Sequence, residues 1–284
     1  MKKYLSLVTF THTIFAMPFA FIGFFLAVTT TNARFDWLKL VMMVLCMVFA
    51  RNSAMAFNRY LDRDIDAKNP RTQKRDIPAG RISPASALTF TIVNCLLFIT
   101  TTWFINRLCF YLSPVALFVV LGYSATKRFT ALCHLVLGLG LALAPIGAYL
   151  VVTGQFALTP LFFSFSVLCW VSGFDIIYAL QDIDFDKHEH LHSIPAYLGK
   201  TKALWLSSFL HVLSAAFVVM PVFFLHVGIP YYIGIAFFCT MLIYQHLLVK
   251  PNDLSRVNFA FMTTNGIASV VFAVFFLLDR LLIR

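Results

Sequence analysis

Charged residues are scarce in this sequence. Asp, Glu, Lys and Arg together make up 12% of its 284 residues, whereas apolar residues make up 60% and the mean hydropathy is +0.84. Because soluble domains carry about 25% charged residues, this scarcity excludes a soluble globular protein and is typical of a chain that crosses a membrane several times. At about 20 residues for each span, the length allows about eight or nine transmembrane helices in a single domain, 1–284.

Paired cysteines and soluble basic segments are also missing. The six cysteines occur singly within apolar stretches, without a Cys-x-x-Cys motif, which argues against a structural zinc site and against a disulfide framework. The formal net charge is +10, but no hydrophilic basic domain carries it, so nucleic acid is not an expected partner. The expected surroundings of this chain are a lipid bilayer.

The positions of Lys and Arg between apolar runs predict the topology. When these residues are assigned to the connections between spans, 17 of the 22 fall on one face, and the positive-inside rule places this face in the cytoplasm. The N-terminal segment with Lys2 and Lys3 is then cytoplasmic, as are the connections after every second span. The predicted spans are 10–30, 37–57, 85–105, 109–125, 131–153, 157–180, 203–225, 229–249 and 257–281.

Two ladders of polar side chains, spaced four residues apart, follow apolar spans on the cytoplasmic face. Their members are Asn58, Asp62 and Asp66 in the first acidic ladder and Tyr178, Asp182 and Asp186 in the second. On a continuous helix, each ladder would face one side over about two turns. The ladders lie in the longest predicted connections, 58–84 and 181–202, and their recurrence after 120 residues indicates a weak internal repeat whose halves enclose a site.

The ladders require positive charge, because carboxylates four residues apart on a helix repel one another. Hard oxygen ligands with room for water and phosphate suit Mg²⁺, and a diphosphate is the natural anion between two such faces. The predicted metal ligands are Asn58, Asp62, Asp66, Asp182 and Asp186. Cations in the cytoplasmic connections would complete the neutralisation of the diphosphate. They include Arg63, Lys127, Arg128 and Lys200.

The two ladders and their surroundings resemble a known family. Asn58-x-x-x-Asp62-x-x-x-Asp66 and Tyr178-x-x-x-Asp182-x-x-x-Asp186 are similar to the two signature motifs of the UbiA superfamily of intramembrane prenyltransferases. The resemblance covers nearly the whole chain and is closest to members that prenylate 4-hydroxybenzoate. Further similar positions are Arg51, 66–72, 77–81, Tyr123 with Lys127-Arg128, 144–147, 192–195 and Gly199.

The resemblance implies an all-α polytopic membrane protein, a bundle of about nine transmembrane helices around a central cavity with cytoplasmic cap loops. It implies an enzyme of the bacterial inner membrane whose active site lies on the cytoplasmic side. The four ladder aspartates would bind Mg²⁺ and the diphosphate of a polyprenyl donor, and Lys127 and Arg128 would assist with the diphosphate.

Arg51 and Asp175 are charges within predicted spans, where buried charge is costly and usually functional. Each precedes a ladder position by seven residues and therefore lies about 10 Å deeper on that side of the helix. Arg51 would hold the carboxylate of an aromatic acceptor, and Asp175 would orient or deprotonate its phenol; alternatively, the two form a structural ion pair. Tyr178 would offer its ring to the allylic cation, and Tyr123 would contribute to substrate binding.

These inferences predict Mg²⁺-dependent transfer of a polyprenyl group to an aromatic acid such as 4-hydroxybenzoate, in ubiquinone or menaquinone biosynthesis. Hydroxybenzoate-prenylating members tend to have a more polar sequence before the second ladder, where this chain reads Asp175-Ile-Ile-Tyr178. A dihydroxynaphthoate of a menaquinone route therefore stays open as the acceptor. A cation-coupled transporter, which also uses helix aspartates and internal repeats, is the alternative from another class of protein.

Overall fold

The protein is built from helices. A computed structural model describes residues 13–31 and 33–283, and the predicted all-α fold class is confirmed for this part of the chain. The helices, numbered in chain order, are α1 (Thr13–Thr30), α2 (Trp37–Leu61), α3 (Arg63–Lys68), α4 (Pro84–Ile105), α5 (Arg107–Thr126), α6 (Cys133–Thr153), α7 (Leu158–Ala179), α8 (Ile183–His188), α9 (Ile194–Val219), α10 (Ile229–Leu248) and α11 (Val257–Leu282).

Most predicted spans correspond to long apolar helices. Within residues 13–31 and 33–283, eight helical segments have the length and composition to cross a membrane. The remaining predicted span, 10–30, corresponds to α1, whose apolar part is the shorter segment Phe15–Thr30. The first residues of that span, together with Lys2 and Lys3, lie outside the described residues. By length and composition, the chain is that of a polytopic membrane protein.

Each acidic ladder bends at its central aspartate. Asp62 separates α2 from α3 with φ −90° and ψ 7°, and Asp182 ends a 3₁₀ turn and precedes α8 with φ −104° and ψ 7°. The prediction of a continuous helix under each ladder is therefore wrong. Backbone hydrogen bonds from Asp62 N to Asn58 O and from Asp66 N to Asp62 O nevertheless keep the first ladder together.

The second cap loop is shorter than predicted. Helix α9 begins at Ile194, inside the predicted connection 181–202, because Ser193 caps its first turn and Pro195 occupies an initial position that needs no backbone donor. Gly199 interrupts the helix with φ 76°, a conformation that glycine adopts at little cost. This early start places the beginning of α9 beside the second ladder.

Helices α6 and α7 form the centre of the bundle. Helix α6 packs against α1, α5 and α7, and α7 also packs against α9. The approach of α1 to α6 is so close that a Cβ on Gly23 would overlap the Pro145 carbonyl, and Gly138 of α6 likewise meets the α7 backbone at Leu168. Most residues of α7 are buried, whereas few residues of α2, α4 and α5 are buried. Side chains that α7 projects into the bundle are therefore held in a rigid frame.

A polar cluster holds α11 against α7 next to the cavity. Asn265 Oδ1 accepts a hydrogen bond from Trp170 Nε1 at 2.7 Å, and Asn265 Nδ2 donates to the carbonyl oxygens of Ala260 and Phe261 at 3.0 and 3.1 Å. These carbonyls belong to a π turn, Ala260–Thr264, where the regular helix ladder is interrupted. The turn presents Phe261 to the cavity wall.

Candidate active site

A large cavity lies between the two acidic ladders. It has a volume of about 810 Å³, and its walls come from α1, α2, α4 to α7, the cap loops and the π turn of α11. Asn58, Asp62 and Asp66 line it from the first ladder, and Tyr178 and Asp182 line it from the second. Two groups of side chains that are 120 residues apart in the sequence thus share one chamber.

Both aspartates of the first ladder are paired with arginines. Arg128 Nη2 lies 2.9 Å from Asp62 Oδ1, and Asn58 Nδ2 donates to Asp62 Oδ2 at 2.9 Å. Arg75 Nη1 donates to both oxygens of Asp66, at 2.8 and 2.9 Å. Burial raises the pKa of the Asp62 carboxyl above its ordinary value, and the hydrogen bond from Arg128 offsets only part of this rise. A poorly solvated carboxylate of this kind gains from a closely bound cation.

Arg71 links the first cap loop to the second ladder. Its Nε and Nη2 donate to the two carboxylate oxygens of Asp182 at 3.0 and 2.6 Å, which makes a bidentate pair, and Asn69 Nδ2 adds a hydrogen bond at 3.3 Å. Arg71 Nη1 also donates to the Tyr178 hydroxyl at 2.9 Å. The Phe261 ring stacks on Tyr178 with 4.1 Å between centroids. The Tyr178 ring is therefore held at a defined place in the cavity wall.

Asp186 lies behind the cavity wall. Its carboxylate is fully buried, Ser193 Oγ donates to Oδ2 at 2.7 Å, and Lys127 Nζ lies 2.7 Å from Oδ1. The Lys127 contact is ionic but lacks hydrogen-bond geometry, so Oδ1 meets no hydrogen-bond donor among the described residues. Because Lys127 itself lines the cavity, Asp186 acts on the chamber through this lysine.

Lys127 and Arg128 bridge the two ladders. These consecutive residues follow α5; Lys127 pairs with Asp186 of the second ladder, and Arg128 pairs with Asp62 of the first. Arg128 Nη2 also donates to the Leu61 carbonyl at 2.7 Å, at the end of α2. An anion placed between the ladders would therefore meet two adjacent cations.

Arg51, Tyr123 and Asp175 line the cavity away from the helix breaks. Arg51 Nη2 lies 3.3 Å from the sulfur of Met55, one turn further along α2. Asp175 Oδ2 lies 2.6 Å from His134 Nδ1, at the start of α6. Within residues 13–31 and 33–283, Asp175 is thus paired with His134, and no ion pair joins it to Arg51.

Two predicted site residues do not reach the cavity. Arg63 Nη1 donates to the Tyr60 carbonyl at 2.9 Å, and its guanidinium packs 5.0 Å from the centre of the Tyr60 ring. Lys200 is exposed in the first part of α9. Arg63 directly follows Asp62 and therefore lies about 100° from the ladder side of a helix, and Lys200 directly follows the interruption of α9 at Gly199.

Three site residues were not predicted from the sequence. They are Asn69, Arg71 and Ser193. The only sequence signal for Arg71 is its place in the segment 66–72, which belongs to the family resemblance. Its partner Asp182 lies 111 residues away, so the pair is visible only in the folded chain.

Comparison with known proteins agrees with this geometry. The model of the UbiA prenyltransferase family matches residues 16–267. The 4-hydroxybenzoate octaprenyltransferase of Tolumonas auensis is 28% identical over 223 residues, which is 78% of each chain. The enzyme of the same name from Nitrosospira multiformis is 29% identical over 234 residues, 82% of this chain and 80% of its own. These matches confirm the prediction of an enzyme rather than a transporter.

Solved structures show the same architecture. A UbiA homologue from Aeropyrum pernix K1 has a TM-score of 0.85 and 30% identity, covering 94% of this chain and 98% of its own. A UbiA homologue from Archaeoglobus fulgidus, bound to GPP and Mg²⁺, shares the fold with a TM-score of 0.77 at 20% identity, covering 98% and 99% of the two chains. Because the family model spans most of the sequence and both signature ladders meet in one membrane cavity, the chain belongs to the UbiA prenyltransferase family.

Proposed function

We propose that the protein transfers a polyprenyl group from a polyprenyl diphosphate to an aromatic acid, 4-hydroxybenzoate or a close analogue, in quinone biosynthesis. The observation that carries this proposal is the meeting of acidic ladders and cations from both halves of the chain at one end of a largely apolar cavity. Family membership supplies prenyl transfer as the reaction class. The acceptor class is inferred from relatives named 4-hydroxybenzoate octaprenyltransferase.

The ladder side chains fit Mg²⁺. Three aspartates and Asn58 bring oxygen atoms to the cavity, and Asp186 Oδ1 is a buried oxygen that no described residue supplies with a hydrogen bond. Mg²⁺ prefers such hard ligands and typically takes one or two carboxylates, with water and phosphate oxygens completing its shell. Within the described ranges, no three His, Cys, Asp or Glu side chains are placed to hold a metal ion by themselves. Asn58, Asp62, Asp66 and Asp182 would hold the metal, which when bound neutralises charge on the leaving group, whereas Asp186, also predicted as a ligand, lies behind the wall and would act through Lys127.

The paired cations would bind the diphosphate. In the described structure each ladder aspartate has one cationic partner, so the charges of the ladders are already balanced. The same cations would donate hydrogen bonds to the diphosphate oxygens. Their charge-assisted hydrogen bonds strengthen as negative charge builds on the leaving oxygen, which lowers the barrier to breaking the allylic C–O bond. The cations are Arg71, Arg75, Lys127 and Arg128.

The remainder of the cavity suits an isoprenoid chain. Its wall continues along α2, α4, α5 and α6 as mostly apolar side chains, among them Met43, Phe98 and Ile105, the last residue of α4. Such a wall favours a hydrocarbon chain and keeps water from the allylic cation. The faces of Tyr178 and Phe261, close to the ladders, would stabilise that cation.

Arg51 and Asp175 are the proposed acceptor residues. The Arg51 guanidinium lines the cavity and would bind the carboxylate of the acid, because its fork of donors matches a carboxylate. The Asp175 carboxylate, on the rigid helix α7, would orient the acceptor and accept a proton from it. Both side chains line the same cavity as the ladders. The acceptor ring would therefore meet the allylic carbon next to the bound diphosphate.

The proposal is tested with purified protein, one polyprenyl diphosphate and Mg²⁺. The acceptors are 4-hydroxybenzoate, dihydroxynaphthoate or none, and products are identified by mass spectrometry. We expect prenylated 4-hydroxybenzoate from the unaltered protein, loss of product with EDTA, and its return with added Mg²⁺. Asp62→Ala and Asp182→Ala should abolish product, because each removes a ligand that stabilises the leaving group. Thermal unfolding should show that both variants are still folded.

Two results would contradict or redirect this proposal. Absence of any prenylated aromatic product from the folded, unaltered protein would overturn it. A higher kcat/KM for dihydroxynaphthoate than for 4-hydroxybenzoate would keep aromatic prenyl transfer and assign the other acceptor. Arg63→Ala, outside the cavity, is the matched control and should retain activity.

A further inference from the structure

His134 and Asp175 form a pair in the cavity wall, where the imidazole is buried and the carboxylate is partly exposed. His134 Nδ1 lies 2.6 Å from Asp175 Oδ2, and His134 is only 2% exposed. The contact joins the beginning of α6 to the last two turns of α7, and both residues line the cavity. Polar groups at this depth are costly unless they are paired, so a pair kept next to the reaction chamber indicates a functional role.

The His134 ring has a defined orientation. The Ile194 backbone N–H contacts Nε2 at 3.4 Å, and Nδ1 faces Asp175 Oδ2 on the other side of the ring. Ser172 Oγ donates to the His134 carbonyl at 3.1 Å and ties this residue to α7. The imidazole is thus fixed from two sides and holds the Asp175 carboxylate in one orientation.

The same imidazole is connected with the diphosphate end of the cavity. Ile194 follows Ser193, whose Oγ donates to Asp186, and Asp186 holds Lys127. The His192 N–H donates to the Lys127 carbonyl at 2.7 Å. One short segment of the second cap loop therefore contacts both a proposed diphosphate-binding lysine and the imidazole that orients Asp175.

We infer that His134 is a positioning residue for the acceptor half of the reaction. It holds the Asp175 carboxylate toward the ring of the aromatic acceptor, whereas donor binding depends on the ladders and their cations. This inference rests on the proposed aromatic prenyl transfer and adds a residue to it. Because Asp175 is the group that touches the acceptor, His134 acts only through the place and charge of that carboxylate.

The proposed step balances as an aromatic substitution. The allylic C–O bond of the donor breaks, and its electron pair leaves with the diphosphate. A ring carbon of the acceptor forms the new C–C bond with the allylic carbon and then loses its proton. Asp175 accepts this proton and passes it to water after the product has left. A base displaced by about 1 Å loses about 100-fold in rate, so the effect of His134 falls on kcat.

The test compares His134→Asn with His134→Gln. The amide nitrogen of asparagine takes the place of Nδ1 and donates to Asp175, whereas the longer glutamine reaches the Nε2 position. Steady-state kinetics with both substrates are measured, together with the slow release of diphosphate from the donor when no acceptor is present. We expect His134→Gln to lower kcat about 100-fold with unchanged donor KM and unchanged acceptor-free diphosphate release, and His134→Asn to keep most of the activity.

Ser172→Ala is the packing control, since it removes a contact of the His134 backbone and leaves the imidazole in place. It should transfer prenyl groups like the unaltered enzyme. Equal losses in His134→Asn and His134→Gln, or a parallel fall in acceptor-free diphosphate release, would overturn the inference, because either shows a general structural role. If the unaltered enzyme prenylates no aromatic acid, the proposed function itself fails, and the inference fails with it.

Discussion

At the scale of single residues, the charged side chains of the site stabilise one another. Asp66 and Asp182 are 5% and 7% exposed, and a buried ion without a partner costs several kcal/mol. Arg75 and Arg71 supply those partners from the first cap loop. The same guanidiniums are the proposed diphosphate ligands, so each serves the folded state and the reaction with a different partner.

Arg71 provides the sharpest test at this scale. Arg71→Ala removes a bidentate contact with Asp182 and a donor to the Tyr178 hydroxyl, so we expect kcat/KM for the donor to fall about 100-fold. Arg71→Lys keeps the charge but not the fork of donors and should recover only part of the activity. Steady-state kinetics at saturating acceptor measure both effects. An equal loss of kcat/KM in Arg63→Ala would contradict a specific role of Arg71, because removing a cation outside the cavity would then have the same effect.

At the scale of elements, the site depends on helices that pack without room for larger side chains. The α1–α6 and α6–α7 contacts both use glycine, and α6 and α7 carry His134 and Asp175. The π turn of α11 has a similar purpose, since it sets Phe261 against Tyr178. Small backbone shifts at these contacts would therefore displace cavity residues without altering any of them.

Gly23→Ala tests the closeness of α1 and α6. The added methyl group would overlap the Pro145 backbone, so we expect the free energy of unfolding to fall by about 1–3 kcal/mol. Gly122→Ala in α5 is the matched control, because a Cβ there meets nothing within 4 Å and alanine favours the helix by about 0.5–1 kcal/mol. Thermal unfolding in detergent measures both. An unchanged Tm for Gly23→Ala would mean that α1 can move away from α6 at no cost.

At the scale of the whole molecule, two halves of the chain meet around one cavity. Each half contributes an apolar helix, a break at an aspartate and a short helix that follows the break. The distribution of Lys and Arg predicts that this end of the bundle faces the cytoplasm. A soluble diphosphate would then leave into the compartment on the side of the cap loops.

Cysteine labelling tests this orientation. His188, at the end of α8, has a side chain that is 84% exposed, and Gln155 is exposed in the turn between α6 and α7 at the opposite end of the bundle. In a background without the six native cysteines, a membrane-impermeant maleimide should label His188→Cys in inside-out vesicles and Gln155→Cys in right-side-out vesicles. The reverse pattern would place the cap loops outside the cytoplasm and contradict the positive-inside assignment.

The sequence by itself determined the membrane class, the spans and the two ladders. Hydropathy is a local property, because a span of about 20 apolar residues must bury its backbone polar groups as a helix whatever its neighbours are. The spacing of the ladders and the charges around them are also local. Together they were sufficient to predict the fold class and to select the ladder aspartates as candidate site residues, and the resemblance of the ladders to a known family added the enzyme class.

Only the tertiary structure decided which charges meet. Arg71 and Asp182 are 111 residues apart, and His134 and Asp175 are 41 residues apart, so their pairing depends on how the helices pack. Electrostatic pairing acts through a few ångströms of space, and helix packing sets those distances.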